Sequence, residues 1–148
     1  MTLPSDPLAP MDAAERALYI RGAQEFNAEE FFEAHEVWEE LWRDEGSEVR
    51  RYYQGLIQVA AGFVKYGRDQ PKGVVSLLRA GLDKLGPYGD SHLGIALQPL
   101  TSEVRRILVV VESHPEGTPL PPLRFPKIRP TPEAAAAGVD FAPAASPP

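Results

Sequence analysis

The fold class of this chain is indicated most clearly by one stretch, Phe31-Phe32-Glu33-Ala34-His35-Glu36-Val37-Trp38-Glu39-Glu40-Leu41-Trp42. It holds four aromatic side chains, four glutamates and one histidine within twelve residues. At about 100° per residue, most of its apolar side chains fall on one side of a helix and its glutamates on the other. The stretch therefore predicts an amphipathic helix on a helical core. The side chains predicted to be buried are Phe31, Ala34, Val37, Trp38 and Leu41.

The sequence on both sides of this helix has helical apolar periodicity, which predicts an all-α fold. We expect a compact bundle of about five helices, built from antiparallel helix pairs. The run Ile107 to Val111 is β-branched, but its apolar residues keep helical spacing. The predicted helices run over about 12–26, 27–43, 47–66, 71–85 and 97–113, with a loop at 91–96.

Residues that start or stop helices fix the predicted boundaries. Asp12 and Glu15 have capping-box spacing, and Asn27 with Glu30 repeats it at the start of the second helix. The third helix is expected to begin at a Ser47 cap. Its end is expected at Gly67 in a left-handed conformation, and Pro71 suits the first turn of the fourth helix.

Proline divides the chain into three parts. Of the 16 prolines, only Pro71, Pro87 and Pro99 lie between residues 11 and 114. Because interior proline costs a helix about 3 kcal/mol, we predict an irregular N-terminal arm over 1–10 and a helical domain over 11–114. That domain is expected to fold without the rest of the chain. A Pro/Ala-rich C-terminal tail over 115–148 follows, disordered after about 131. The alternative for its first part is that the apolar side chains between Leu120 and Ile128 lie across a groove of the bundle.

Composition excludes several classes of partner. The net charge of −6 argues against nucleic acid, whose phosphates require a cationic surface. The chain has no cysteine, which excludes disulfides and thiolate chemistry. No apolar run reaches the roughly 20 residues that a membrane span needs, and the first ten residues have no signal-peptide pattern. We expect a soluble cytoplasmic protein, either a monomer or a homodimer, with a protein or a small molecule as its partner.

A weak internal repeat has a period of about forty residues. Phe26-Asn27, followed by Ala34 and Trp38, is similar in pattern to Tyr66-Gly67, followed by Gly73 and Leu77. Stacked helical hairpins have such spacing. Two copies are too few to indicate a solenoid, so two antiparallel helix pairs that share one core are the favoured interpretation.

His35, Glu36 and Glu39 form the candidate catalytic site. His35 and Glu39, four residues apart, offer ligand atoms for a divalent metal ion on one helical face. His35-Glu36 also begins like the zinc-protease pattern, but Glu39 stands where the second histidine belongs. A half-buried His35 beside Glu39 is alternatively a metal-free acid or base. The structural interpretation is that His35 fills the edge of the core, and no cofactor is predicted beyond a possible divalent metal.

Four other side chains are candidate ligand-binding residues. Phe32 projects among the glutamates, so we expect it to be covered by another helix of this chain or by an external partner. Trp42, near the end of its helix, is a better groove candidate than Trp38, which belongs to the core. Gln54 and Gln58 form part of a narrow polar stripe on the third helix, which faces either solvent or an internal polar site. If it faces a site, we expect both glutamines to face His35.

Two blocks of the chain resemble domain-of-unknown-function family 309. The first is Phe26-Asn27 followed by the stretch from Phe32 to Trp42, with its Glu33-Ala34-His35-Glu36 signature. The second runs from Tyr53 to Ala61, and the likeness extends over roughly 13–113. The resemblance implies a small all-helical protein without an assigned activity. We therefore predict a binding or scaffolding module; the alternative is a metal-dependent or acid/base enzyme of the hydrolase type at His35, Glu36 and Glu39.

Overall fold

The structure is a computed structural model that describes residues 6–43, 46 and 49–143. Its long helices confirm the predicted all-α bundle, and each packs against the next one in chain order. They are α1 Ala13–Asn27, α2 Phe31–Arg43, α3 Val49–Gly67, α4 Pro71–Leu85 and α5 Leu97–Glu112. Within the described residues, no helix combines the length and apolar character that crossing a membrane requires.

The segment after α4 contains more structure than the predicted loop. A 3-10 turn at Gly86–Tyr88 is followed by an antiparallel hairpin of β1 Ser91–His92 and β2 Ile95–Ala96. Its turn places Leu93 at φ 43° and Gly94 at φ 77°. Each strand has only two residues, too few for an alternating apolar pattern to appear in the sequence.

The predicted helix boundaries are partly confirmed. The Asp12 carboxylate accepts a hydrogen bond from the Glu15 backbone N–H at 2.8 Å, and the Glu15 side chain accepts one from the Asp12 N–H at 3.4 Å, which completes the capping box. Pro71 is the first residue of α4, as expected. The predicted Ser47 cap lies outside the described residues.

Two boundary predictions are corrected. Asn27 is the last residue of α1 and buried, and its carboxamide binds the C-terminal segment instead of capping α2. Gly67 ends α3, but the left-handed residue of that turn is Asp69, at φ 58°. In both places the left-handed residue lies two positions further along the chain, at Glu29 after Asn27 and at Asp69 after Gly67.

The forty-residue repeat is present in the backbone. Glu29 and Asp69 are both left-handed, at φ 63° and 58°, and they close equivalent turns after α1 and α3. In these turns the Glu30 N–H donates to the Glu25 carbonyl and the Gln70 N–H to the Lys65 carbonyl, at 2.9 and 3.0 Å. The two helical hairpins, α1–α2 and α3–α4, are therefore structurally similar units that share one core.

Equivalent glycines let the two helices of each hairpin approach closely. A Cβ atom on Gly22 would lie 2.1 Å from Nε1 of Trp38. Forty residues later, a Cβ atom on Gly62 would lie 2.7 Å from Cδ2 of Leu78. Trp38 is fully buried, as predicted, and its indole N–H donates to the Tyr19 carbonyl at 3.2 Å.

The C-terminal segment is part of the fold. We call residues 119–143 the strap, because they cross the helices and contain only one short helix, α6 Pro132–Ala136. Ile128 and Phe141 are buried in the core, and Leu120, Leu123 and Phe125 pack against it. The groove alternative for this segment therefore holds. The expectation of disorder after about 131 is corrected over 132–143, because Ala134 and Phe141 are buried. No local sequence pattern indicates their burial.

The N-terminal arm and the strap meet at the hairpin. Leu8 of the arm is buried, and its Cδ2 would lie 3.0 Å from a Cβ atom on Gly94. The same Cβ would lie 3.2 Å from Ala134 of α6. The Thr131 N–H also donates to the Gly94 carbonyl at 2.9 Å. The short hairpin therefore connects both ends of the described chain to the bundle.

Candidate functional site

Helix α2 has the predicted division into a buried and an exposed side. Its exposed side carries Phe32, whose side chain is 50% exposed, an unusual value for a large aromatic. Glu33, Glu36 and Glu40 are exposed around it. The buried side chains of α2 are Phe31, Ala34, Val37, Trp38 and Leu41, the predicted set.

His35 lies at the edge of the buried side, held between two carboxylates. Its Nε2 atom is 3.2 Å from Oε1 of Glu39, and its Nδ1 atom is 3.3 Å from Oε1 of Glu36. The second contact has an ion-pair distance but not a hydrogen-bond geometry, so the buried Nδ1 atom has no hydrogen-bond partner. The imidazole ring also lies against Phe32, with 6.1 Å between the ring centroids.

These three side chains are able to coordinate one divalent ion. One ligand atom from each of His35, Glu36 and Glu39 lies within 4.8 Å of the others. One imidazole nitrogen and two carboxylate oxygens are ligand types that zinc and similar metals accept, and three protein ligands leave a position for water. All three come from a single helix, and the Glu36 side chain is about half exposed.

The polar stripe of α3 is directed toward α4. Arg51 Nη2 is 3.4 Å from Asp83 Oδ2, and the Lys65 side chain lies 3.1 Å from the position of a Cβ atom on Gly73. Gln58 belongs to this stripe, and its buried Oε1 atom has no hydrogen-bond partner. Over the described residues, neither glutamine of the predicted site forms a hydrogen bond with His35. Gln54 and Gln58 therefore stay predictions as ligand-binding residues, without a contact that joins them to α2.

Trp42 is half-buried beneath a cation. The guanidinium carbon of Arg50, on α3, lies 4.0 Å from the centroid of its ring, a cation–π contact. Trp42 also packs against the core. One face of the ring is therefore already covered within the molecule, which leaves Phe32 as the better exposed anchor on α2.

Sequence reasoning missed a cluster of tyrosines around His92. The Tyr19 hydroxyl donates to the Leu93 carbonyl at 2.7 Å and lies 2.7 Å from the Tyr52 hydroxyl, which is 3.2 Å from the His92 carbonyl. The His92 ring lies 4.7 Å from the rings of both Tyr52 and Tyr88. Its loop position, far from both tyrosines in sequence, gave no signal of this contact.

Burial keeps these groups neutral at physiological pH. It raises the pKa of Tyr19 and of Tyr52 well above the usual value, so both hydroxyls remain protonated and available as donors. It lowers the pKa of His92 from 6.5, which favours the neutral imidazole. The cluster fastens the hairpin to α1 and α3, and its contacts account for a structural role.

A separate open cleft of about 1020 Å³ lies between the start of α4 and the end of α5. Val75 and Val111 contribute apolar surface, and Arg79 pairs with Glu112 at 2.7 Å across it. Its lining includes none of the predicted site residues. This cleft between α4 and α5 and the exposed side of α2 are therefore distinct surfaces.

Comparison with known proteins supports the family resemblance. Residues 19–77 match the family model described as "Domain of unknown function (DUF309)". The match confirms the predicted resemblance over a shorter range than 13–113, and it does not test the Glu-Ala-His-Glu signature by itself. An uncharacterised protein of Aquifex aeolicus (strain VF5) is 25% identical over 84 residues, which are 56% of this chain and 25% of that protein. The chain thus spans about a quarter of the length of that relative.

Proposed function

We propose that the protein is a helical binding module. Its residues 19–77 match a family of unknown function. Its docking surface is the exposed side of α2, and its partner is a protein segment with basic and apolar side chains. The observation that carries the proposal is the exposure of Phe32, at 50%, among carboxylates. Aromatic side chains commonly anchor protein interfaces, because they bury a large area at a small entropic cost.

The charges around Phe32 favour a cationic partner. Glu33, Glu36 and Glu40 are exposed, and the Glu39 carboxylate is shared between His35 and Arg43, at 3.2 and 3.9 Å. Carboxylates on this side thus outnumber the cations of α2. Complementary charge increases association rates and selects among partners, whereas the buried aromatic supplies most of the affinity.

The metal-dependent or acid/base alternative receives less support from the geometry. His35, Glu36 and Glu39 all lie on one helix, and no side chain of another described element pairs with them. A catalytic site needs groups that converge on a reacting atom. The alternative therefore stays a prediction, and a chelator distinguishes it from protein binding.

Site-specific crosslinking tests the proposal. We would place a photoreactive benzoylphenylalanine at position 32, and in a control protein at position 109, because Val109 is also exposed, at 62%. Expression in the source cells with illumination should give a discrete covalent adduct at position 32 and none at 109. Equal adducts at both positions, or none at either, would argue against the α2 surface. We also propose a cytoplasmic location, which fractionation of the same cells tests.

A further inference from the structure

We propose that two copies of this chain exchange their straps, so that each strap fills the groove of the other molecule. The groove is the channel in which the strap lies, along α1 and α3 and across the α1–α2 and α3–α4 turns. This surface is different from the exposed side of α2. The observation behind the proposal is that the strap is held like a bound peptide on a tether.

The groove binds the main chain of the strap. The Asn27 carboxamide donates to the carbonyls of Ile128 and Phe141, both at 2.8 Å, and accepts from the Ile128 N–H at 2.7 Å. At the other end, the Asp69 carboxylate accepts from the Leu120 N–H at 2.7 Å. Side chains of the bundle thus bind backbone groups of an extended segment, as in peptide recognition.

An aromatic pocket anchors the middle of the strap. The Phe125 ring lies 5.0 Å from Phe31, 5.1 Å from Phe63 and 5.6 Å from Tyr66. The Tyr66 hydroxyl also donates to the Pro121 carbonyl. All the groove residues of this pocket lie within the family match over 19–77, whereas the strap lies outside it.

The tether is the turn at residues 114–118, and its side chains hydrogen-bond within it. The Thr118 hydroxyl donates to the Pro115 carbonyl at 2.8 Å and lies 2.8 Å from the His114 imidazole. Residues 115–118 are exposed, and Gly117 has φ 78°. The hydrogen bonds of Thr118 lie within this turn, so none of them holds the strap in its groove. Short exposed connections of this kind permit the exchange of identical elements.

Exchange preserves the contacts of the strap. In a swapped pair, each groove binds the same backbone groups and the same Phe125 ring as in the monomer. The balance between the two forms therefore depends on the protein concentration relative to the effective concentration of the tethered strap, about 1 mM. We expect the swapped dimer to increase with protein concentration.

The absence of native cysteine makes the exchange measurable. Ala28 and Ala142 are exposed and directly follow Asn27 and Phe141, which are hydrogen-bonded to each other. The variants Ala28→Cys and Ala142→Cys would be incubated together at about 1 mM and treated with a short bis-maleimide. A covalent heterodimer is expected, in a yield that grows with concentration. Ala28→Cys mixed with Ser102→Cys, at an exposed position on α5, is the matched control.

The double variant Ala28→Cys/Ala142→Cys completes the test. We expect it to crosslink within one chain, which shows that the strap lies in its own groove, and the closed product should not exchange. The proposal is overturned if the double variant crosslinks in this way while the mixture gives no more heterodimer than the control pair. It is equally overturned if the double variant does not crosslink, because the strap then lies elsewhere.

Discussion

At the scale of single residues, buried polar side chains hold together segments that are distant in sequence. Asn27 is 7% exposed, and every hydrogen bond of its carboxamide goes to a residue at least 101 positions away. Such a side chain is costly to remove, because truncation leaves buried backbone groups without partners.

Asn27→Ala should lower the free energy of unfolding by about 2–4 kcal/mol, since three buried hydrogen bonds are lost. Urea denaturation followed by circular dichroism measures the change. Gln98→Ala is the control, because among the described residues its exposed side-chain amide donates one hydrogen bond, to the Ser102 hydroxyl at 3.0 Å. Its loss should change stability by about 0.5 kcal/mol or less. Similar losses for the two variants would show that Asn27 does not hold the strap.

His92 should make stability depend on pH. Burial lowers its pKa from 6.5, so the unfolded chain binds the proton more readily than the folded one. The contribution of neutral His92 is therefore fully present above pH 6.5, and it is lost as the pH falls from there toward the folded pKa. His92→Phe keeps an aromatic ring beside Tyr52 and Tyr88 and removes the ionisable imidazole.

Unfolding free energies of the wild type and of His92→Phe at a series of pH values test this expectation. The wild type should lose stability relative to the variant as the pH decreases below 6.5. Parallel pH profiles would mean that His92 has the same pKa in both states. The difference between the two proteins isolates the contribution of His92, because the rest of the sequence is the same in both.

At the scale of elements, the glycines of the repeat determine how closely helices pack. Gly22→Ala should destabilise by about 3 kcal/mol, because the new methyl group would overlap the fully buried Trp38 ring. Gly67→Ala is the control, since nothing lies within 4 Å of its Cβ position and the residue is helical. That change should leave stability equal or raise it by up to about 1 kcal/mol. Thermal melting of both variants measures the difference, and a neutral Gly22→Ala would contradict the close α1–α2 packing.

The helices were predictable from sequence because their signals are local and repeated. Apolar periodicity fixed the buried side of α2, and the Asp12 capping box fixed the start of α1. The short β1–β2 hairpin was missed because two-residue strands carry no periodicity. Asn27 was misassigned because its spacing to Glu30 fits a cap, whereas its hydrogen-bond partners lie about a hundred residues away.

The candidate site was predictable from sequence where its residues lie on one helix, and not where they lie on two. His35, Glu36 and Glu39 lie together because they occupy one helical face, which spacing alone determines. The expected approach of Gln54 and Gln58 depended on how α3 is rotated between its neighbours. That rotation follows from long-range packing, such as that of α4 against Gly55 and Gly62, and a local pattern does not contain it.

At the scale of the whole molecule, we expect the strap to make the chain one cooperative unit, because it contributes buried side chains to the shared core. A chain that ends at His114 loses Ile128 and Phe141 from the core and uncovers the aromatic side chains of α1, α2 and α3 beneath them. We expect it to melt at a lower temperature and with a broader transition than the full chain, although its helical circular dichroism is largely kept. An unchanged, sharp transition would instead confirm the prediction from sequence that residues 11–114 fold alone.

We propose that the α2 signature serves protein binding. The most direct measurement is the dissociation constant of the partner crosslinked at position 32, determined with purified proteins for the wild type, for Phe32→Ala and for the wild type with EDTA. Phe32→Ala should weaken binding at least about tenfold, or ~1.4 kcal/mol, because the aromatic anchor is lost. EDTA should have no effect. A dissociation constant that EDTA raises and Phe32→Ala leaves unchanged would contradict the claim and assign the site to a metal ion at His35, Glu36 and Glu39.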